Sequence, residues 1–206
     1  MRMLLWPSMP LVIVGLGNPG REYEKTRHNA GRMALELLAK QDKLDGFVVN
    51  KKANALVTEG VVGGEKMTLV LPETYMNASG KAVAAFVKTP GGAKKMVVVH
   101  DDLDLPLGTI KMVFARGSGG HKGVESVMRA LKTKDFARVR IGVAPSGKKN
   151  QAKKLKDEER VIKHVVGKFK PTEDAALKKS LKKAVEAVRL FAESGIEAAT
   201  MFANTK

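Results

Sequence analysis

The sequence predicts an α/β sandwich folded as one domain, and three observations carry that prediction. Short β-branched apolar runs at 11–16, 96–99 and 139–143 read as strands buried on both faces of a sheet. Segments with apolar residues at helical spacing alternate with them, the pattern of an α/β architecture. The chain has 206 residues, 44% of them hydrophobic, so it is the size of one ordinary domain and can bury a real core.

Each element follows in order. Residues 1–10 form an N-terminal extension broken by Pro7 and Pro10, and residues 11–206 make up the domain. Strand 11–16 (LVIVGL) ends in glycine, and helix 28–40 places Met33, Leu37 and Leu38 on one face. Strands 57–62 and 67–71 form a hairpin about Gly63-Gly64, and helix 78–87 carries Val83, Phe86 and Val87. Strand 96–99 runs straight into His100-Asp101-Asp102, and 109–114 reads as a further strand. A glycine-rich loop, 117–123, opens helix 124–131, and strand 139–143 ends at Ala144-Pro145. The Lys-rich stretch 146–156 reads as an exposed loop. Thr172 then caps a helix with Glu173 and Asp174 in its first turn, Leu177, Leu181, Val185 and Val188 inward, and Gly195 at its end.

Composition narrows the function. A net charge of +16 attracts polyanions, of which nucleic acid is the commonest. Aromatics are only 5%, a poor supply for single-strand stacking platforms. The chain has no cysteine, which removes a disulfide scaffold, thiolate metal sites and a cysteine nucleophile, and agrees with a reducing compartment. No apolar run reaches the ~20 residues of a membrane span, so no membrane partner is expected. The cytoplasm is the expected location, with the mitochondrion as the alternative.

Gly15-Leu16-Gly17-Asn18-Pro19-Gly20 satisfies the dinucleotide-binding pattern G-x-G-x-x-G after a strand. That site needs a helix to begin within the turn, whereas Pro19, Gly20 and the polar stretch 21–27 intervene. A nucleotide-binding oxidoreductase is therefore a distant alternative. Neither G-x-S-x-G nor H-E-x-x-H is present, so serine and zinc routes lack support.

Four polar residues sit at the ends of apolar elements, where open α/β sheets place their crevices: Asn18, His28, Asn77 and Asp101. A histidine can take a proton from water, a carboxylate can orient the ring, and asparagine amides can donate to an oxyanion. Taken singly, each also has a structural role: His28 in a helix start, Asn18 in a turn before Pro19, Asn77 as a cap, and Asp101 in an acidic turn or a magnesium site.

Five blocks resemble the bacterial-type peptidyl-tRNA hydrolase family. They are G-L-G-N-P-G-x-x-Y-x-x-T-R-H-N-A-G at 15–31, P-E-T-Y-M-N-A-S-G at 72–80 and H-D-D-L-D-L-P-L-G at 100–108. The others are G-S-G-G-H-K-G at 117–123 and R-V-R-I-G at 138–142. They occur in family order within about 11–145. The resemblance implies a three-layer α/β/α sandwich around a mixed, mostly parallel sheet, usually monomeric, acting on peptidyl-tRNA without a metal or organic cofactor. It implies hydrolysis of the ester joining the peptide to the tRNA 3′ end, which recycles the tRNA. His28 would be the general base and Asp101 its holder. Asn18 would sense the acylated amino end, and Asn77 would bind near the ester. Tyr23 and Tyr75 would line the site near the tRNA 3′ end, and Lys111 and Arg140 would contact phosphates. The loop departs from the family's G-G-H-N-G at Lys122, which either weakens ester positioning or reaches a phosphate. A non-catalytic RNA-binding protein on the same fold is the main alternative.

Overall fold

The computed structural model describes residues 10–145, 151–152, 155 and 157–205. The expected extension 1–10 therefore lies outside the described residues except for Pro10, as does most of the expected loop 146–156. Seven strands form one sheet: β1 (Leu11–Gly15), β2 (Val48–Asn50), β3 (Ala55–Val62), β4 (Glu65–Pro72), β5 (Met96–Pro106), β6 (Ile110–Phe114) and β7 (Ala137–Ala144). Their order is β2-β3-β4-β1-β5-β7-β6. Strands β4, β1, β5 and β7 pair in parallel, while β3 and β6 run against their neighbours. Since β2 opposes β3, five of the seven strands share one direction. The sheet is mixed and mostly parallel by direction.

Alternation along the central strands builds both flanking layers. Ile13, Val97 and Val99 face α1 (Ala30–Gln41) and α6 (Asp174–Asn204), whereas Val12, Val14, Met96 and Val98 face the opposite layer. That second layer holds α2 (Ser79–Val83) and α4 (Lys122–Leu131), with the short α3 (Pro90–Ala93) beside them. A strand covered on both faces needs apolar residues at every position, which is why β1 reads LVIVG. The β3–β4 hairpin turns on Gly63 and Gly64, both at positive φ as a tight two-residue turn requires.

Several elements differ from the sequence expectation. Strand β5 does not stop at Val99 but continues to Pro106, so His100, Asp101 and Asp102 lie within a strand. Strand β1 ends opposite Val99, leaving the far part of β5 paired only with β7 on one side. The expected helix 78–87 is a 3₁₀ turn, Met76–Ala78, followed by the single short helix α2. The sequence expectation includes neither the edge strand β2 nor helix α5 (Glu158–Val165), although Val161, Ile162 and Val165 stand at helical spacing in the latter. Thr172 lies inside a 3₁₀ turn, Pro171–Glu173, and it is the Glu173 carboxylate that accepts the backbone N–H of Lys170. Gly195 breaks α6 with φ of 80°, but the chain resumes helix to Asn204.

Candidate active site

The C-terminal ends of β1, β4 and β5 open into one crevice. Helix α1 packs close to β1 and β5 because residue 31 is glycine: a Cβ there would overlap the Val99 carbonyl oxygen and crowd the Leu16 backbone. That approach delivers the 3₁₀ turn Arg27–Asn29, just before α1, to the open edge of β5. Arg27 anchors the turn from behind. Its guanidinium donates to Glu173 at 2.7 and 3.0 Å and to the carbonyls of Gly167 and Lys168 at 3.2 and 3.0 Å.

His28 Nδ1 lies 2.9 and 3.0 Å from the two Asp101 carboxylate oxygens. Asp101 is 2% exposed, and it also receives His121 Nε2 at 2.9 Å. His121 caps α4: its Nδ1 accepts the backbone N–H groups of Gly123 and Val124 at 3.1 and 3.3 Å. Two N–H donors facing Nδ1 place the ring proton on Nε2, so this bond runs from His121 to the carboxylate. With the same logic, His28 donates through Nδ1, so in its neutral form the nitrogen without a proton is Nε2. Behind them, His100 is fully buried; its Nδ1 donates to the Asp101 carbonyl at 2.7 Å and its Nε2 accepts from Arg138 at 3.1 Å. Arg138 also holds the Gly117 carbonyl at 2.7 Å, tying the glycine loop to β5.

These contacts set the charge states. Burial pushes the His28 pKa down, but the Asp101 charge and hydrogen bond outweigh it and raise the value above the ordinary one, with Lys122 opposing. Burial disfavours the Asp101 carboxylate, yet His28 and His121 hold its pKa well below the usual range. Burial, His121 and Arg138 depress His100 far below the ordinary histidine value, so it serves as a neutral spacer.

Asn18 is fixed by two partners. Its Oδ1 accepts the Met76 N–H at 2.8 Å, and the Asn29 amide clamps its backbone N–H and C=O at 2.8 and 2.9 Å. The Asn18 amide NH₂ is therefore the end left for a ligand. Asn77 is exposed beside it in the 3₁₀ turn and caps no helix. Both residues line a cavity of about 650 Å³ with His28, Asp101 and His121. The facing wall is apolar: Leu103, Leu155 and, on α5, Val161, Ile162 and Val165. Tyr75, 64% exposed, stands at the rim. Lys122, also in the lining, pairs with Glu158 at 3.1 Å.

Not every expected residue joins this group. Tyr23 sits half-buried in the turn before Thr26, outside the cavity lining. Lys111 is exposed on β6, opposite Arg140 of β7 in the register. Arg140 is held by Asp102 at 2.6 Å. His100, His121, Arg138, Arg27, Asn29 and the α5 wall are contributions that residue-by-residue reading missed; a histidine just before a helix start was the one available signal. No helix starts in the Gly15–Gly20 turn, so a pyrophosphate has no helix N-terminus to meet there. His28, Asp101 and His121 present ligand atoms within 4.8 Å of one another, the spacing of a candidate metal site. The set fits a metal poorly, because the α4 N–H groups occupy the lone pair of His121 Nδ1 and keep the proton on Nε2, the atom a metal would need.

A model of the family described as peptidyl-tRNA hydrolase matches residues 12–206. The chain belongs to the peptidyl-tRNA hydrolase family. A peptidyl-tRNA hydrolase from Thermoanaerobacter sp. is 42% identical over 189 residues, covering 90% of this chain and 95% of the relative. One from Prochlorococcus marinus is 37% identical over 195 residues, 94% and 93% of the two chains. The crystal structure of the Acinetobacter baumannii peptidyl-tRNA hydrolase superposes with a TM-score of 0.84 at 33% identity, covering 96% of each chain. The α/β/α sandwich and the hydrolase class expected from the sequence are thereby established for this family member.

Proposed function

We propose that this hydrolase releases peptides from peptidyl-tRNA with His28 as general base, Asp101 as its orienting partner, and Asn18 and Asn77 as substrate-binding donors. Family membership gives the reaction class, cleavage of the ester between peptide and tRNA. The observation that carries the assignment of roles is the two-oxygen bond from Asp101 to His28 Nδ1, which leaves Nε2 of this cavity-lining ring without a proton in the neutral form.

His28 Nε2 takes a proton from water as the oxygen forms its bond to the ester carbonyl carbon. The charge passes to the carbonyl oxygen, where the Asn77 amide donates. The intermediate collapses by breaking the bond to the ribose oxygen, which takes the proton back from His28. The products are the free peptide acid and tRNA with its terminal hydroxyl. Asn18 NH₂ donates to the carbonyl that acylates the amino group of the last residue, so an unblocked aminoacyl ester lacks a partner there. Tyr75 offers a face for the terminal adenosine, and Lys111, Arg140 and Lys122 offer charge to phosphates. No metal or cofactor enters these steps. A monomer acting in the cytoplasm is the proposed form; among the described residues no helix is long and apolar enough to cross a membrane.

The test is single-turnover release from N-acetylaminoacyl-tRNA, with unblocked aminoacyl-tRNA as comparison. General-base assistance is typically worth ~10²–10⁴ in rate, so His28→Ala should lose about that much. Tight tRNA binding without any turnover in the wild type would instead point to a binding protein.

A further inference from the structure

A second cavity, of about 780 Å³, lies beside the first and has no part in the ester chemistry. Its floor is apolar, made by Met33 and Leu37 of α1, Leu56 of β3 and Leu181 of α6. Its rim is charged, with Arg21, Lys25, Lys178 and Lys182 set against Glu24 and Glu36. Among the described residues, Asn18 alone lines both cavities. Asn29, which clamps the Asn18 backbone, lines the second cavity, whereas His28, its neighbour in the chain, lines the first.

Substrate connectivity gives this arrangement a meaning. In a peptidyl ester the attacked carbonyl and the acylated nitrogen belong to one residue, separated by a single Cα. With the carbonyl at His28 and the acyl group at Asn18, the preceding residues continue away from His28, past Asn18. The rim at Tyr75 and Lys122 is the side proposed for the tRNA end, so the peptide needs another path. Because Asn18 borders both cavities, an extended chain advancing about 3.3 Å per residue past it is directed toward the second one. A volume within the roughly 300–1,000 Å³ of ordinary ligand pockets accommodates a short peptide segment.

We infer that the second cavity is a subsite for the peptide residues that precede the ester-linked one, with apolar side chains favoured on the Met33–Leu37–Leu56–Leu181 floor. The mixed charges on the rim suit a chain that then returns to solvent in varied sequence. This inference rests on the proposed placement of Asn18 at the acylated nitrogen.

The experiment compares two substrates sharing one tRNA and one C-terminal residue: N-acetylaminoacyl-tRNA and an N-acetyltetrapeptidyl-tRNA with leucine at the upstream positions. The wild type should show a KM about tenfold lower for the longer substrate. A tetrapeptide with aspartate upstream should lose most of that gain. Leu37→Glu and Leu56→Trp, which charge and fill the floor, should abolish the length advantage while leaving turnover of the short substrate and affinity for deacylated tRNA unchanged. The subsite is overturned if the wild type ignores length, or if both variants keep the full advantage. It is equally overturned if both variants slow the two substrates in parallel, which would make these residues part of the shared framework. Weakened deacylated-tRNA binding in both variants would assign the cavity to tRNA instead. Failure of the His28 assignment would appear separately, as full activity of His28→Ala with the length effect intact.

Discussion

Replacing Asp101 with asparagine keeps the side chain's size and removes its charge. The wild-type carboxylate accepts His28 Nδ1–H on both oxygens, at 2.9 and 3.0 Å, and His121 Nε2–H at 2.9 Å on one of them. Asparagine retains a single acceptor oxygen. That oxygen is shared between His121 and His28, while the new NH₂ lies against His28 Nδ1 in place of the second oxygen and favours the tautomer with the ring proton on Nε2. In that tautomer Nε2 has no lone pair for water. Hydrogen bonds to charged groups contribute about 1.5–3 kcal/mol. At 1.36 kcal/mol per decade of rate, losing the contact alone costs roughly 10- to 100-fold. The wrong tautomer carries the loss further into the ~10²–10⁴ range of general-base assistance.

The same substitution leaves a second signature in the pH profile. His28 must be neutral to act, and its pKa is raised by Asp101 against the effect of burial. Wild-type activity should therefore climb as pH passes through a value above about 6.5, the unperturbed histidine value. Stability runs the other way: the His28–Asp101 contribution is fully present below about pH 6.5 and is lost as pH rises through the higher folded value. In Asp101→Asn the residual activity should have its acid limb at lower pH, since burial then acts unopposed. Single-turnover kcat/KM on N-acetylaminoacyl-tRNA between pH 5 and 9 reads both effects. A loss of less than about threefold, with the acid limb unmoved, would refute the orienting role of Asp101.

Lys122→Asn should leave activity intact or raise it, and should move the acid limb to higher pH because Lys122 lowers the His28 pKa; a ~100-fold loss would show that the lysine itself is required. Gly31→Ala should cost about 1–3 kcal/mol through overpacking against Val99 and Leu16, read as a fall in Tm. It should also slow turnover by up to ~100-fold as His28 is displaced from Asp101, and unchanged kinetics would mean that the helix position does not govern the site. Below about pH 4 the wild type should lose stability as Asp101, whose folded pKa is far depressed, becomes protonated in the unfolded chain; Asp101→Asn should show a flatter acid-denaturation curve. Affinity for deacylated tRNA should fall with salt, and Lys111→Ala should reduce the slope of log affinity against log salt by about 1; an unchanged slope removes Lys111 from the phosphate contacts.

Strand β1, the β3–β4 hairpin and α4 were legible because each states its environment locally. An unbroken LVIVG run means burial on both faces, two glycines between alternating strands mean a tight turn, and a glycine-rich loop before spaced apolar residues means a helix start. The motif blocks marked His28, Asp101, Asn18 and Asn77, although each had an ordinary structural role as a single residue. The length of β5 was not legible, because His100-Asp101-Asp102 is polar and no local pattern distinguishes a buried polar strand from a turn. Its environment comes from β7 alongside and from the turn bearing His28 above. Helix α5 was equally hidden: it is only eight residues long and nothing local shows what its Val161, Ile162 and Val165 face, yet the bonds from Arg27 to the His164 carbonyl and from His164 to the Val143 carbonyl hold it across the cavity as its apolar wall.

The sequence by itself determined the layers of the fold and the chemical types present at the site, since both follow from patterns a few residues long. Both histidines line the cavity, and tertiary structure alone decided which of them keeps a ring nitrogen free for a ligand. His28 and His121 both reach Asp101, but the N–H groups of α4 occupy the second nitrogen of His121, while that of His28 is left open. That difference comes from one ring sitting at a helix N-terminus and the other at the edge of a crevice, and it depends on strands and helices 73 and 20 residues from Asp101 in the chain.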